Sequence, residues 1–434
     1  MGPGALEGLK VLDFTAAFVG PFCSRIMADM GAEVIKIERP AKDQDERFTP
    51  ESLPTRNGVP YLHLNGGKKS LCVDLKDPRG LGIVHSLVKE ADVFVENYTP
   101  HVVRSYGLDY PSLRALNLGI IMCSMTGYGQ GGFAYNAEHV CTDPVAQAMS
   151  GLNWITGERD GAPNTIGGGI GDTITGMAGA LAVGYALFHR QRTGVGQYID
   201  LSMIASLLFV DSLGMPHAAA NGGTPFHYRN GKQNTYTFPM GVLKAKQGYI
   251  SVQAPGQGPE SAWGRLFRCM DRPDLVEDPR YISDDDMLAR ADEVVDIVEG
   301  WLQGLPDDDA ALLVLAEARI SSGPVLSQSQ IFEHPHFRSQ GTFQEVEYPE
   351  LGTIEVVSPP YKFSATQAWV RGPAPQLGEH NYEVLATHLS MSPQEVRALT
   401  DQGVLYESGS AQRRRTAVKP VSYTHLTLPT ILLV

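Results

Sequence analysis

The chain has 434 residues, 43% of them hydrophobic and 19% charged, which is enough for two domains and a sizeable core. Its net charge of -13 argues against nucleic acid or an anionic membrane as the main partner, while leaving room for a local basic pocket. Cys23, Cys72, Cys123, Cys141 and Cys269 form no C-x-x-C pair and no metal-ligand spacing, so we expect reduced thiols in a cytoplasmic setting and no metal.

In chain order, strand and helix signals alternate. Leu9–Phe14 predicts a strand and Pro21–Met30 a helix; Glu33–Glu38 alternates polar and apolar residues as a second strand. Ser70–Asp74, Asp92–Glu96 and Gly119–Ser124 predict further strands, with a helix over Pro78–Glu90 between the first two. Repeated β-α-β of this kind means an α/β fold with a mostly parallel sheet and helices on its faces. Ligands of such sheets bind beyond the carboxyl ends of the strands, which singles out the residues after each strand: Thr15–Gly20, Arg39-Pro40, Asn97-Tyr98 and Met125–Gly132. The first of these loops holds one glycine, and the later run at Gly167 and Gly169 has Asp172 where a third glycine would fall, so neither has the G-x-G-x-x-G spacing and a nicotinamide or flavin dinucleotide is not expected.

The run Ile166-Gly167-Gly168-Gly169-Ile170-Gly171-Asp172 then opens an apolar stretch of small residues. Glycines let a bulky ligand approach the backbone, and the free N–H groups of a first helical turn stabilise negative charge. Asp172 therefore reads either as an N-cap or as a carboxylate that attacks an acyl group, and both roles can coexist. Leu181 to Met203 carries a helix, then the turn Arg190–Gln197, then the strand Tyr198–Leu201. Gly241–Ala245 with Tyr249–Val252, and Gln344–Tyr348 with Thr353–Val357, predict hairpins; an acidic helix is expected over Asp284–Gly304. The N-terminus has no secretory pattern and no apolar run of roughly 18 residues reads as a membrane span. Residues 406–434 read as an appended, disordered or artefactual tail, or else as a C-terminal interaction segment.

Taken together, Leu6–Phe14, Gly31–Pro40, Leu64–Leu71, Val95–Tyr98, Asp143–Gly151, Gly171-Asp172, Arg192–Gln197, Gly323–Val325 and Leu377–His380 resemble the class III CoA-transferase family of CaiB/BaiF type. The resemblance implies a Rossmann-like large domain plus a smaller α+β domain, two subunits interlocking as a homodimer, and an acyl-CoA and a carboxylic acid as substrates with no resident cofactor. Mapped onto the chain, this implies residues 1–225 in the large domain, 226–325 in the small one, and 326–405 returning to the large one. It implies Asp172 as the nucleophile, passing through an aspartyl-acyl anhydride and an aspartyl-CoA thioester.

By the same motif match, Arg39 and Lys69 are candidates for CoA phosphates, or else surface cations, and Tyr98 for stacking on adenine, or else core. Leu71 and Asn97 complete that set. Ala16, Ala17, Phe18 and Val19 match the loop beside the reacting acyl group, and Met203 matches a residue flanking CoA. Asp143 matches an acidic or polar position near the site, orienting backbone or nucleophile or simply capping the next helix. Formyl-CoA transferases carry polar residues where this chain has Ala16 and Phe18, and their glycine lid has no counterpart, so an acceptor larger or more apolar than oxalate is expected. A family arginine would fall at Ser105, next to Arg104. The same fold also hosts α-methylacyl-CoA racemases, the alternative reading. These have a histidine directly before the aspartate that here is Asp143. The chain has Thr142 there and His139 three residues earlier, and a threonine holds no proton at neutral pH as imidazole does.

Overall fold

The computed structural model describes residues 2–40, 58–131, 140–224, 229–234, 238–256, 258–281 and 283–407. His139 and most of the expected tail, residues 408–434, lie outside them. In order, the elements are β1 (Lys10–Phe14), α1 (Val19–Asp29), β2 (Glu33–Glu38), α2 (Val59–Asn65), β3 (Lys69–Cys72), α3 (Pro78–Val88), β4 (Val93–Glu96), α4 (Pro100–Ser105), α5 (Tyr110–Leu116) and β5 (Ile121–Thr126). They continue with α6 (Asp143–Met149), α7 (Leu152–Ile155), α8 (Ile170–Thr193), β6 (Tyr198–Ser202), α9 (Met203–Val210), α10 (Gly214–Ala220), β7 (Met240–Lys244), β8 (Tyr249–Gln253) and α11 (Ala262–Cys269). Then come α12 (Asp284–Ala289), α13 (Ala291–Gly304), α14 (Asp308–Glu317) and β9 (Ser321–Pro324).

Contacts group the chain into two compact units. One comprises Met1–Ser124, Ala180–Ile199 and Glu345–Val434, the other Met125–Gly179 and Asp200–Gln344. The first is built on a six-stranded sheet of order β3-β2-β1-β4-β5-β6, whose pairings from β3 through β5 are all parallel. Valine, isoleucine, leucine and phenylalanine make up much of β1, β2 and β4, because a parallel sheet covered by helices is buried on both faces. The core gathers Leu12, Phe14, Ile35, Ile37, Leu71 and Phe94 with α3 residues Val84 and Leu87, and with Val384, Leu385 and Val404 from the C-terminal part. That part also covers the edge of β3: Asn381 Oδ1 accepts from Cys72 N at 2.9 Å, its Nδ2 donates to Tyr406 O at 2.7 Å, and Val73 bridges Leu405. An edge strand so covered offers no free ladder to another chain.

The alternation in β2 suggests that Lys36 faces water, yet Lys36 is 1% exposed. Its partner is Asp13 in β1, wholly buried, which also accepts from Lys68 Nζ at 2.8 Å and Ser24 Oγ at 2.6 Å. Burial alone would raise the Asp13 carboxyl, but Lys36 and Lys68 outweigh it and hold it below the usual carboxylate range.

The second unit has its own core around Trp263, Phe267, Val294, Val298 and Leu315, packed against Ile250 and Val252 of β8. The hairpin expected there is present: β7 pairs antiparallel with β8, and β9 joins β8 on its other side. The helix expected from Leu181 begins earlier, at Ile170, and ends at Thr193. Helix α8 has 24 residues, and an 18-residue window within it reaches a mean hydropathy of 1.2, enough to cross a membrane by length and composition alone, a test that core helices also meet. It carries Asp172 in its first turn and Arg190 and Arg192 in its last.

Candidate active site

Two groups of the expected residues come together, one in each unit. In the first, β1 and β4 are neighbours at the place where strand order reverses, the crevice in which open α/β sheets bind ligands. Asn97, just after β4, clamps the backbone that leaves β1. Its Nδ2 donates to Ala16 O at 2.7 Å, and its Oδ1 accepts from Ala16 N at 2.8 Å. Ala17 follows in the left-handed region at φ 57, which costs a non-glycine residue energy and persists only where the surroundings impose it. Lys36 Nζ donates to Thr15 O at 2.8 Å, and Lys68 Nζ to Pro21 O at 2.9 Å. The loop is thus held at Thr15, Ala16 and Pro21 while Phe18 stands 44% exposed and Val19 is buried at the start of α1.

The remaining residues of this group sort by burial and partner. Arg39, after β2, lies with its guanidinium 5.5 Å from the centre of the Tyr98 ring, and Tyr98 packs on Phe14 at 4.7 Å between centroids. Tyr98 therefore has one face toward the core. Lys69 is committed elsewhere: it pairs with Glu33 at 2.6 Å and Glu383 at 2.8 Å. Leu71 is 0% exposed in β3, so its side chain is core and has no surface for a ligand.

In the second unit, the glycine run turns through Gly168 and Gly169, both in the left-handed region at φ 82 and φ 65, and α8 starts at once. Asp172 is therefore not the N-cap; it sits inside the first turn, and the cap comes from another helix. Asp143 Oδ1, on the first residue of α6, accepts from Gly171 N at 2.6 Å and Asp172 N at 3.2 Å. Gly171 has to be glycine: a Cβ there would lie 2.8 Å from Asp143 Oδ1 and 3.3 Å from Met203 Sδ. Met203, 4% exposed, so forms the floor of the turn.

Gln147 Nε2 donates to Asp143 Oδ2 at 2.6 Å and to Ile166 O at 3.0 Å, while its Oε1 accepts from Ile166 N at 2.9 Å. The sequence reading gave Gln147 no role; the available signal was its spacing of four from Asp143, one helical turn. Burial, and secondly the charge of Asp143, raise the Asp172 carboxyl from 3.8 to about 6. Burial and the neighbouring Asp172 likewise push up the Cys141 thiol. A carboxylate raised in this way is more basic, and a better nucleophile when ionised, than one on the surface.

The profile of CoA-transferase family III matches residues 6–381. The chain belongs to CoA-transferase family III. It is similar to a succinyl-CoA:mesaconate CoA-transferase of Haloarcula hispanica, 32% identical over 88% of this chain and 96% of that protein. A human succinyl-CoA:glutarate CoA-transferase is 32% identical over 92% of this chain and 90% of its own length. Among solved structures, a CaiB/BaiF family protein from Brucella suis superposes with a TM-score of 0.78 and 29% identity, over 89% of this chain and all of that one. The protein is accordingly an enzyme that transfers CoA, with CoA thioesters as substrates. Among the described residues no group of three or more His, Cys, Asp or Glu side chains is disposed to hold a metal ion.

Proposed function

We propose that this family III enzyme moves CoA from an acyl-CoA donor to a carboxylic acid through covalent intermediates on Asp172. An Asp172 oxygen attacks the thioester carbonyl, the C–S bond breaks, and CoA leaves as thiolate from a mixed anhydride. The thiolate attacks the aspartyl carbonyl, releasing the donor acid and leaving an aspartyl-CoA thioester. The acceptor carboxylate attacks that thioester in turn, and the thiolate then takes the new acyl group, freeing Asp172. The observation that carries the reading is a carboxylate in the first turn of α8, raised to about 6, with its own backbone N–H held by Asp143. A covalent relay of this kind splits one slow acyl transfer into easier steps.

On this reading Arg39 and Tyr98 of the first unit hold the CoA and Asn97 holds the loop Ala16–Val19, while in the second unit Met203 packs beneath the turn that carries Asp172. Lys69 and Leu71 serve β3 instead of the ligand. The relatives named above support succinyl-CoA as donor and a dicarboxylic acid larger than oxalate as acceptor. A panel of carboxylic acids assayed with succinyl-CoA and acetyl-CoA tests this; turnover with oxalate alone would contradict it. The interlocked homodimer and the cytoplasmic setting belong to the same proposal, and light scattering that finds only monomer would count against the first.

Two expected results follow. The attacking form of Asp172 is the ionised one, so kcat/KM falls about tenfold per pH unit below about 6 and is level above it. A profile level down to pH 4 would remove Asp172 ionisation from the rate. Asn97→Ala deletes both hydrogen bonds to Ala16, worth about 1 kcal/mol each, and frees the strained Ala17 turn. The KM for the CoA donor should rise roughly tenfold to a hundredfold, because a loop displaced by about 1 Å costs that much. An unchanged KM would show that the clamp does not set the loop for the donor.

A further inference from the structure

We propose that Gln147 is a positioning residue: it holds Asp143 against the start of α8 and the glycine run against α6, and so sets the place and protonation of Asp172. The proposal rests on the reading of Asp172 as nucleophile. Gln147 is 0% exposed, and an uncharged amide so deep in a helix needs partners for both its ends. It has them: one lies a helical turn back on α6 and the others on the segment that leads into α8. One hydrogen fixes Asp143 Oδ2, and the same nitrogen and the amide oxygen grip the carbonyl and N–H of Ile166, the residue before the three glycines. The three glycines between Ile166 and α8 carry no side chains to hold the turn, and two of them lie in the left-handed region.

Asp143 is then the second link. Gln147 orients one of its oxygens, and the other takes the N–H groups of Gly171 and Asp172. This has two consequences for Asp172, and they have the same sign. Its carboxylate faces a fixed negative charge, and two helix N–H groups that would have stabilised it are already occupied. The charged or titratable groups that face Asp172 among the described residues are Asp143 and Cys141. Cys141 stays a neutral thiol near pH 7, so Asp143 is the one that acts on Asp172.

The experiment compares wild type with Gln147→Met and Gln147→Glu. Methionine keeps the length and loses every hydrogen bond. Glutamate keeps the length and the acceptor for Ile166 N, but puts a carboxylate against Asp143. Asp172 is followed by NMR in protein carrying carboxyl-labelled aspartate, its signal identified by its loss in Asp172→Asn; kcat and donor KM are measured alongside. In the methionine variant the midpoint of Asp172 should fall by about one pH unit or more toward the ordinary carboxylate value, as Asp143 swings away and the helix N–H groups become free; in the glutamate variant it should rise instead, because a further carboxylate joins Asp143 beside it. The kcat should fall tenfold or more while the donor KM stays within about twofold. Should the methionine variant not fold, the glutamate variant carries the comparison. A folded variant of either kind with the Asp172 midpoint and kcat of wild type overturns the proposal. A wild type that transfers CoA to no acid would sink the functional reading instead, and the titration would still report on the link.

Discussion

Asp172→Asn should abolish CoA transfer, lowering kcat by on the order of 10³-fold or more, because the amide has no anionic oxygen to attack a thioester and no covalent relay remains. The loss will not be a folding defect. The folded-state pKa of Asp172, about 6, lies above the ordinary carboxylate value of 3.8, so its charge costs the fold stability at neutral pH. That cost is full above about 6 and is relieved as pH falls toward 3.8. The asparagine variant is therefore at least as stable as wild type at pH 7 in a thermal melt. An inactive protein that melts at a much lower temperature would mean that Asp172 holds the turn instead of acting on substrate.

The second large effect is on stability. Asp13→Asn removes the carboxylate that faces two buried ammonium groups, Lys36 at 1% and Lys68 at 3% exposure. Taking one partner from a buried charge cluster costs about 3–5 kcal/mol, since what remains is uncompensated charge. A melting temperature lower by on the order of 10 °C is expected. The deficit also depends on pH. Burial has already pushed the Lys68 ammonium down from 10.5 to about 8, against the pull of Asp13. Without Asp13 it sheds its proton at still lower pH, so the variant's deficit is larger at pH 6 than at pH 9. Equal deficits at both would mean that lost hydrogen bonds, not charge, account for it. Because Lys36 and Lys68 hold the carbonyls of Thr15 and Pro21, the same substitution also loosens the loop after β1.

The parallel sheet was legible because its strands are short runs of valine, isoleucine and phenylalanine, each bounded by a turn and followed by a helix. Asp172 was legible because a run of glycines before an apolar helix is uncommon and matched a family motif. The rest depends on partners distant in sequence. Lys36, in an alternating strand, looks like a surface residue; only a sheet covered on both faces turns it inward to meet Asp13. Lys69 looks available to a phosphate until Glu383, more than three hundred residues later, reaches it. Leu71 sits inside a matching motif, yet its side chain is core. Of the two readings of Asp172, the cap gives way for the same reason: the N–H groups of Gly171 and Asp172 are met by Asp143, 29 residues before Asp172 and on another helix. No local pattern carries that information.

The most direct test is chemical trapping. The enzyme is mixed with succinyl-CoA, quenched with neutral hydroxylamine, digested, and read by peptide mass spectrometry. Attack of hydroxylamine on an activated aspartyl carbonyl expels CoA thiol or the donor acid and leaves a hydroxamate. That hydroxamate is expected on the peptide containing Asp172, dependent on the acyl-CoA and absent from Asp172→Asn. An actively transferring enzyme whose Asp172 peptide stays unmodified would contradict the covalent relay on Asp172.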